Sequence, residues 1–277
     1  MKTEIEMETK AATTRKKETT TETKVKMKMT TFLKQVYGEA YILLKCPTIK
    51  WIIGISIVVL SFFLKEAVDL RYSDVANYYT TQLLLSIVVV VIFFPILIGG
   101  FIGSKDYEWR TWGAKLLPIS RKRIVIIKLC VILGASVLIT VIGLIIGLFY
   151  DTVHQVHFSE MVFYRALSTI YVCFFWGTLA FLIGMITKNF ALSAIIPFSY
   201  LFFEPILYTK MNSTFLSWLP FWNQRSFLQP IFRTNDGVII IPNFDYNPSW
   251  VGFGIFTAYF LVTCLLLFYI VRRKEFV

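Results

Sequence analysis

The chain reads as an all-α polytopic membrane protein. Its expected parts are six transmembrane helices, an amphipathic helix in the membrane interface before them, and a polar helical segment between the second and third. Three observations lead there. Of 277 residues, 56 % are hydrophobic and only 16 % charged, with a mean hydropathy of +0.65; soluble domains lie nearer about 45–50 % and about 25 %. Apolar runs approaching the roughly 20 residues needed to cross about 30 Å of hydrocarbon recur along the chain. The basic residues gather in the segments that flank those runs. An outer-membrane barrel is excluded, because barrel strands alternate apolar and polar residues and these runs do not.

Residues 1–30 are rich in Thr, Lys and Glu without apolar periodicity. Such a composition buries too little surface to offset chain entropy, so a disordered cytoplasmic tail is expected. It has no apolar core, so no cleavable signal peptide is expected either. From residue 31 the pattern becomes amphipathic. Phe32, Leu33, Val36, Tyr37, Ala40, Tyr41, Leu43 and Leu44 share one helical face, and Lys34, Gln35, Glu39 and Lys45 the other. This is an interfacial helix, ended by Cys46-Pro47-Thr48. Residues 31–277 then form a six-helix domain with spans at 49–64, 81–102, 124–150, 161–186, 190–208 and 250–271.

Within that domain, Gly99, Gly100 and Gly103 invite close approach of another backbone. Gly143 and Gly147 form a GxxxG pair whose expected use is packing inside the chain. Lys188-Asn189 reads as a tight turn. The segment 209–249 is neither span nor simply polar. Its aromatic residues, Trp218, Phe221 and Trp222 among them, suggest short helices in the outer interface. Thr234-Asn235-Asp236-Gly237 suggests a hairpin. With both termini cytoplasmic, the inner segments hold 22 of the 28 Lys and Arg residues, as the positive-inside rule requires. The same rule accounts for the net charge of +11 without nucleic acid.

The polar segment 104–128 reads SKDYEWRTWGAKLLPISRKRIVIIK. It is too long and too mixed in charge for a bare connector. Trp109, Trp112 and Leu116 share a helical face, Pro118 ends a short helix, and Ser120 is placed to cap the next. Glu108, Gly113, Leu116-Leu117, Pro118-Ile119-Ser120-Arg121 and Lys128 stand in an order that resembles the first cytoplasmic loop of ABC-2 (type-2 exporter) permeases. Ala114 replaces the threonine of that pattern, and Leu116-Leu117 abut Pro118 without its spacer. The layout of residues 31–277 is similar as well.

The resemblance implies a coupling helix contacting a separate ATPase subunit through Asp106, Glu108, Trp109, Arg110, Trp112, Gly113, Leu117, Pro118 and Arg121. It implies a second permease subunit, a plasma-membrane location, bacterial for preference, and export of a hydrophobic or amphipathic substrate. ATP and Mg would sit in the partner ATPase, with no cofactor, metal or catalytic residue in this chain. The nearest likeness to a phosphate loop, Gly99 to Lys105, has the wrong spacing and lies at a span end.

Other residues are open to two readings. Glu204, inside the fifth span, either pairs with Arg165 in the fourth or sits at the interface because Pro205 ends the span early. His154 and His157 lie in a short outer loop, where solvated histidines are the ordinary outcome. Cys46, Cys130, Cys173 and Cys264 show neither disulfide nor metal spacing. Protease, hydrolase and phosphotransferase motifs are missing from the sequence. The alternative functional reading is a non-transporting immunity or sensor protein that binds a toxic peptide. An ion-coupled transporter would want inverted repeats and several midplane polar residues.

Overall fold

Long apolar runs form helices in this chain because a helix satisfies its own backbone, the condition for life in lipid. The computed structural model describes residues 30–55, 57–58, 88–108, 120–153, 161–211, 216–228, 232–234, 237–239 and 249–273. The first two helices are α1 (30–45) and α2 (47–55). Cys46 separates them: its carbonyl accepts the amides of Ile49 and Lys50 at 3.1 and 3.3 Å, and Pro47 takes the first helical position, where a missing N–H costs nothing. Then come α3 (Val88–Glu108), α4 (Arg121–Val153), α5 (Met161–Thr187) and α6 (Phe190–Met211). A 3-10 turn (Leu216–Trp218) leads into α7 (Pro220–Leu228), and α8 (Ser249–Arg273) closes the described chain. Between α7 and α8 lie β1 (Phe232–Thr234) and β2 (Gly237–Ile239), paired antiparallel with Thr234 opposite Gly237. This is the hairpin that the Asn235-Asp236 step suggests. The fold is otherwise helical among the described residues.

Among the described residues, three helices are long and apolar enough to cross a membrane: Arg121–Phe149, Val162–Thr187 and Trp250–Arg273. They coincide with the expected spans 124–150, 161–186 and 250–271. The spans expected at 81–102 and 190–208 fall on α3 and α6, whose apolar stretches Val91–Lys105 and Phe190–Leu201 are shorter. The span expected at 49–64 begins with α2, and its end lies outside the described residues, as does the tail before residue 30. One boundary differs clearly. The helix that carries the span expected to end at 102 runs on to Glu108, with Ser104 and Lys105 buried.

Helix α5 is the spine. Of its most apolar stretch 67 % is buried, against 33 % for α4 and 22 % for α8. Its closest neighbour is α3, and glycine sets the distance. A Cβ on Gly99 would overlap the carbonyl oxygen of Gly177, and one on Gly103 would lie 2.5 Å from that of Phe181. From the other side, a Cβ on Gly184 would lie 2.9 Å from the carbonyl oxygen of Gly100. The two backbones touch, as small-residue seams allow in lipid. Gly143 and Gly147 of α4 are likewise buried within the chain.

Aromatic rings dock α8 on the spine. The Tyr171 ring lies 5.6 Å from those of Phe253, Phe256 and Phe260, and the Phe175 ring 4.6 Å from that of Phe256. The Tyr171 hydroxyl donates to Thr257 Oγ1 at 3.0 Å. Helices α5 and α6 join through Lys188 and Asn189 alone, the tight turn expected there. Lys188 takes φ = 56°, the left-handed region, and donates its amide to Gly184 O at 2.9 Å. Asn189 caps α6 by accepting the Leu192 amide on Oδ1 at 3.2 Å.

Two outcomes test these packing statements by thermal unfolding in detergent. Gly99→Ala is expected to cost about 3 kcal/mol, since backbone on both sides leaves little room to yield. Gly134→Ala, where an added Cβ meets nothing within 4 Å, is expected to stay within about 0.5 kcal/mol of the parent; equal shifts would refute the seam. Lys188→Gly is expected to stabilise by roughly 1 kcal/mol, because glycine carries no Cβ penalty in that conformation, and Lys188→Val to destabilise.

Candidate functional site at the junction of α1, α3 and α4

A lysine can be buried only if its ammonium finds acceptors, because an unpaired charge in a low-dielectric interior is prohibitively costly. Among the described residues, Lys105 and Lys128 are buried, each 1 % exposed. Lys105 ends the apolar stretch of α3, and its Nζ lies 3.3 Å from Oε2 of Glu39 on α1. Lys128 stands in α4 among Ile126, Ile127, Leu129 and Cys130. Its Nζ donates to Ile102 O in α3 at 3.0 Å and lies 5.9 Å from the centre of the Phe181 ring. Lysine tails thus tie α3 to α1 on one side and to α4 on the other.

The placement of Glu39 corrects the amphipathic pattern. The sequence groups it with the polar outer face of the interfacial helix, yet it turns inward, its side chain 15 % exposed, because Lys105 draws it there. The outward face of α1 carries Leu33, Tyr37, Tyr41 and Leu44, all exposed. No local periodicity reveals a contact between residues 66 positions apart. The signal in the sequence that bears on it is a lone acid between residues 30 and 50.

The residues assigned to the coupling segment bracket this junction. Asp106 and Glu108 lie in the last turn of α3, with side chains outside the described residues. Trp109, Arg110, Trp112, Gly113, Leu117 and Pro118 lie wholly outside them. Arg121 is the exposed first residue of α4. Ser120 stands at the N-cap position, its carbonyl accepting the amides of Arg123 and Ile124 at 3.0 and 3.2 Å. Gly99 to Lys105, the distant likeness to a phosphate loop, is the interior of α3, so its amides serve the helix ladder.

Of the second proposed pair, Arg165 is buried in α5 at 6 % exposure. Glu204 lies in α6, its side chain outside the described residues, as are His154 and His157 entirely. A different buried polar contact occupies α7. Asn223 and Gln224 are fully buried; Gln224 Oε1 accepts the indole N–H of Trp176 at 2.6 Å. Asn223 Nδ2 donates to the carbonyls of Ser217 and Leu219, each at 2.8 Å. Sequence reasoning placed the aromatic residues of this segment at the interface and passed over the two amides between them. An apolar groove of about 720 Å³ opens between α4, α5 and α8, lined among others by Tyr164, Leu167, Tyr171, Phe174, Trp250 and Phe253.

No family model matches the chain, and no curated protein matches it.

The ion pair is checked by a double-mutant cycle. Glu39→Leu alone and Lys105→Met alone are each expected to cost about 3 kcal/mol, since each leaves a partly or fully buried charge without its counterion. The double variant is expected to cost less than either. Additive losses in detergent unfolding would show that the two side chains do not interact.

Proposed function

We propose that the chain is the membrane-spanning permease subunit of an ABC exporter of the ABC-2 class. In this reading it crosses a bacterial plasma membrane six times with both termini in the cytoplasm. It works as a dimer, with itself or a related chain, above two ATPase subunits that supply ATP, Mg and hydrolysis. The substrate class is hydrophobic or amphipathic: a peptide, a lipid-linked molecule or a drug. The groove between α4, α5 and α8 offers apolar surface of the matching character.

The observation that supports this reading most is the bond between the two helices that flank residues 109–119 in the chain. The motif-bearing segment leaves α3 and enters α4, and those helices are bonded to each other through Lys128 and Ile102 O. A push delivered by a closing ATPase dimer to residues 106–121 would therefore move α3 and α4 together, with α1 attached through Glu39. A segment anchored in two independent helices would dissipate such a push.

The experiment is co-expression with a candidate ABC ATPase subunit, purification, and ATPase assay in nanodiscs. Wild-type permease is expected to co-purify and stimulate hydrolysis. Glu108→Ala combined with Gly113→Pro is expected to return hydrolysis to the level of the ATPase alone while leaving the bundle folded. Unchanged stimulation would overturn the proposal. So would protection against a toxic peptide that persists when the ATPase is inactivated, the outcome expected of an immunity protein.

A further inference from the structure

The charge on α1 and the first turn of α2 is sorted by the fold. Between residues 30 and 50 the sequence carries Lys34, Glu39, Lys45 and Lys50, so Glu39 is the only acid. Glu39 is turned inward and neutralised by Lys105, while Lys34, Lys45 and Lys50 are exposed. The outward face is left with positive charge alone. Along the same face Leu33, Tyr37, Tyr41 and Leu44 recur at spacings of four and three, a stripe of roughly 17 Å. Tyr37 is 71 % exposed and its ring stacks 6.1 Å from that of Tyr41. Lys45 Nζ sits 4.6 Å over the Tyr41 ring, an arrangement in which an amphipathic lysine lays its stem on apolar surface and keeps its charge outside. Trp51, one turn into α2, is 73 % exposed.

We propose that α1 is a docking strap for an anionic lipid surface, with the Glu39–Lys105 pair fixing which face it presents. The aromatic and aliphatic stripe enters the acyl boundary, and Lys34, Lys45 and Lys50 meet the phosphates of anionic headgroups. Charge complementarity selects this occupant. A second copy presenting the same face would bring like charges together across a two-fold axis. Neutral lipid would satisfy the stripe but leave the lysines without counter-charge. The pair makes the selectivity possible: with Glu39 outward, α1 would show mixed charge and a weaker preference. The inference needs membrane embedding but not the ATPase partnership.

The test is hydrogen–deuterium exchange on the full-length chain in nanodiscs of phosphatidylcholine, alone or mixed with phosphatidylglycerol. Amides of α1 are expected to be better protected in the anionic discs, by roughly fivefold for each engaged lysine. Added salt should erode the difference. Lys34→Gln with Lys45→Gln should abolish most of it while protection of α3 and α5 stays unchanged, since neither residue touches the core pair. Glu39→Gln should lower α1 protection in both lipids. Equal protection of wild type in the two lipids would overturn the proposal, as would a lysine variant that keeps the increment. Protection that tracks the number of chains per disc rather than lipid charge would assign the face to a second copy instead. No ATPase is present in this assay, so its failure leaves the proposed function standing, and the reverse.

Discussion

The structure depends on the backbone contact between α3 and α5. In lipid, apolar side chains gain little by leaving one hydrocarbon environment for another, so helix association rests on close packing and directional bonds. Gly99, Gly103, Gly177 and Gly184 remove the side chains that would hold the helices apart. That contact also fixes the rotation of α3 about its axis. Lys105 follows Gly103 by two residues and so points about 200° away from it. With Gly103 against α5, Lys105 is carried to the far side of α3, where α1 supplies Glu39. The buried lysine is in this sense a consequence of the glycine seam.

Buried cations give specificity rather than net stability. Desolvating an ammonium costs several kcal/mol, and its pairing roughly returns that amount. An apolar residue at position 105 would hold α3 and α1 together about as well, yet would tolerate a slid or rotated α1. The Glu39–Lys105 pair admits one arrangement. The Lys128 bond to Ile102 O does the same for α3 and α4. These two ties join α1, α3 and α4 at one end of the bundle.

Much of this fold was legible because hydropathy acts locally. The expected spans at 124–150, 161–186 and 250–271 fall on α4, α5 and α8. The Lys188-Asn189 turn, the cap at Ser120 and the hairpin at Thr234 to Gly237 also follow from short-range rules. The position of Lys105 did not, because composition assigns a charged residue after an apolar run to solvent, and only a partner far along the chain reverses that assignment. Glu39 was misplaced for the same reason. Asn223 and Gln224 escaped notice because an amide among aromatics reads as interfacial until Trp176 is found beside it. Of the candidate coupling residues, the structure describes the helices on either side, α3 to Glu108 and α4 from Arg121.

The directional bonds are distributed unevenly around α5. Toward α3 the contact is backbone on backbone, and opening a gap of about 0.5–1 Å forfeits roughly a quarter to a half of its dispersion energy. Toward α8 the contact is a ladder of aromatic rings, whose offset and edge-on arrangements tolerate sliding with modest loss. Side-chain hydrogen bonds restrain that side as well. Tyr171 to Thr257 holds α8 directly, and Trp176 to Gln224 holds α7, which packs on α8. Both donors belong to α5, five residues apart, so a shift of α8 that carries α7 with it must break both. Each break would strand a polar group in apolar surroundings at roughly 1–3 kcal/mol. The two sides of α5 thus differ in kind: a backbone seam toward α3, and rings with directional side-chain bonds toward α7 and α8.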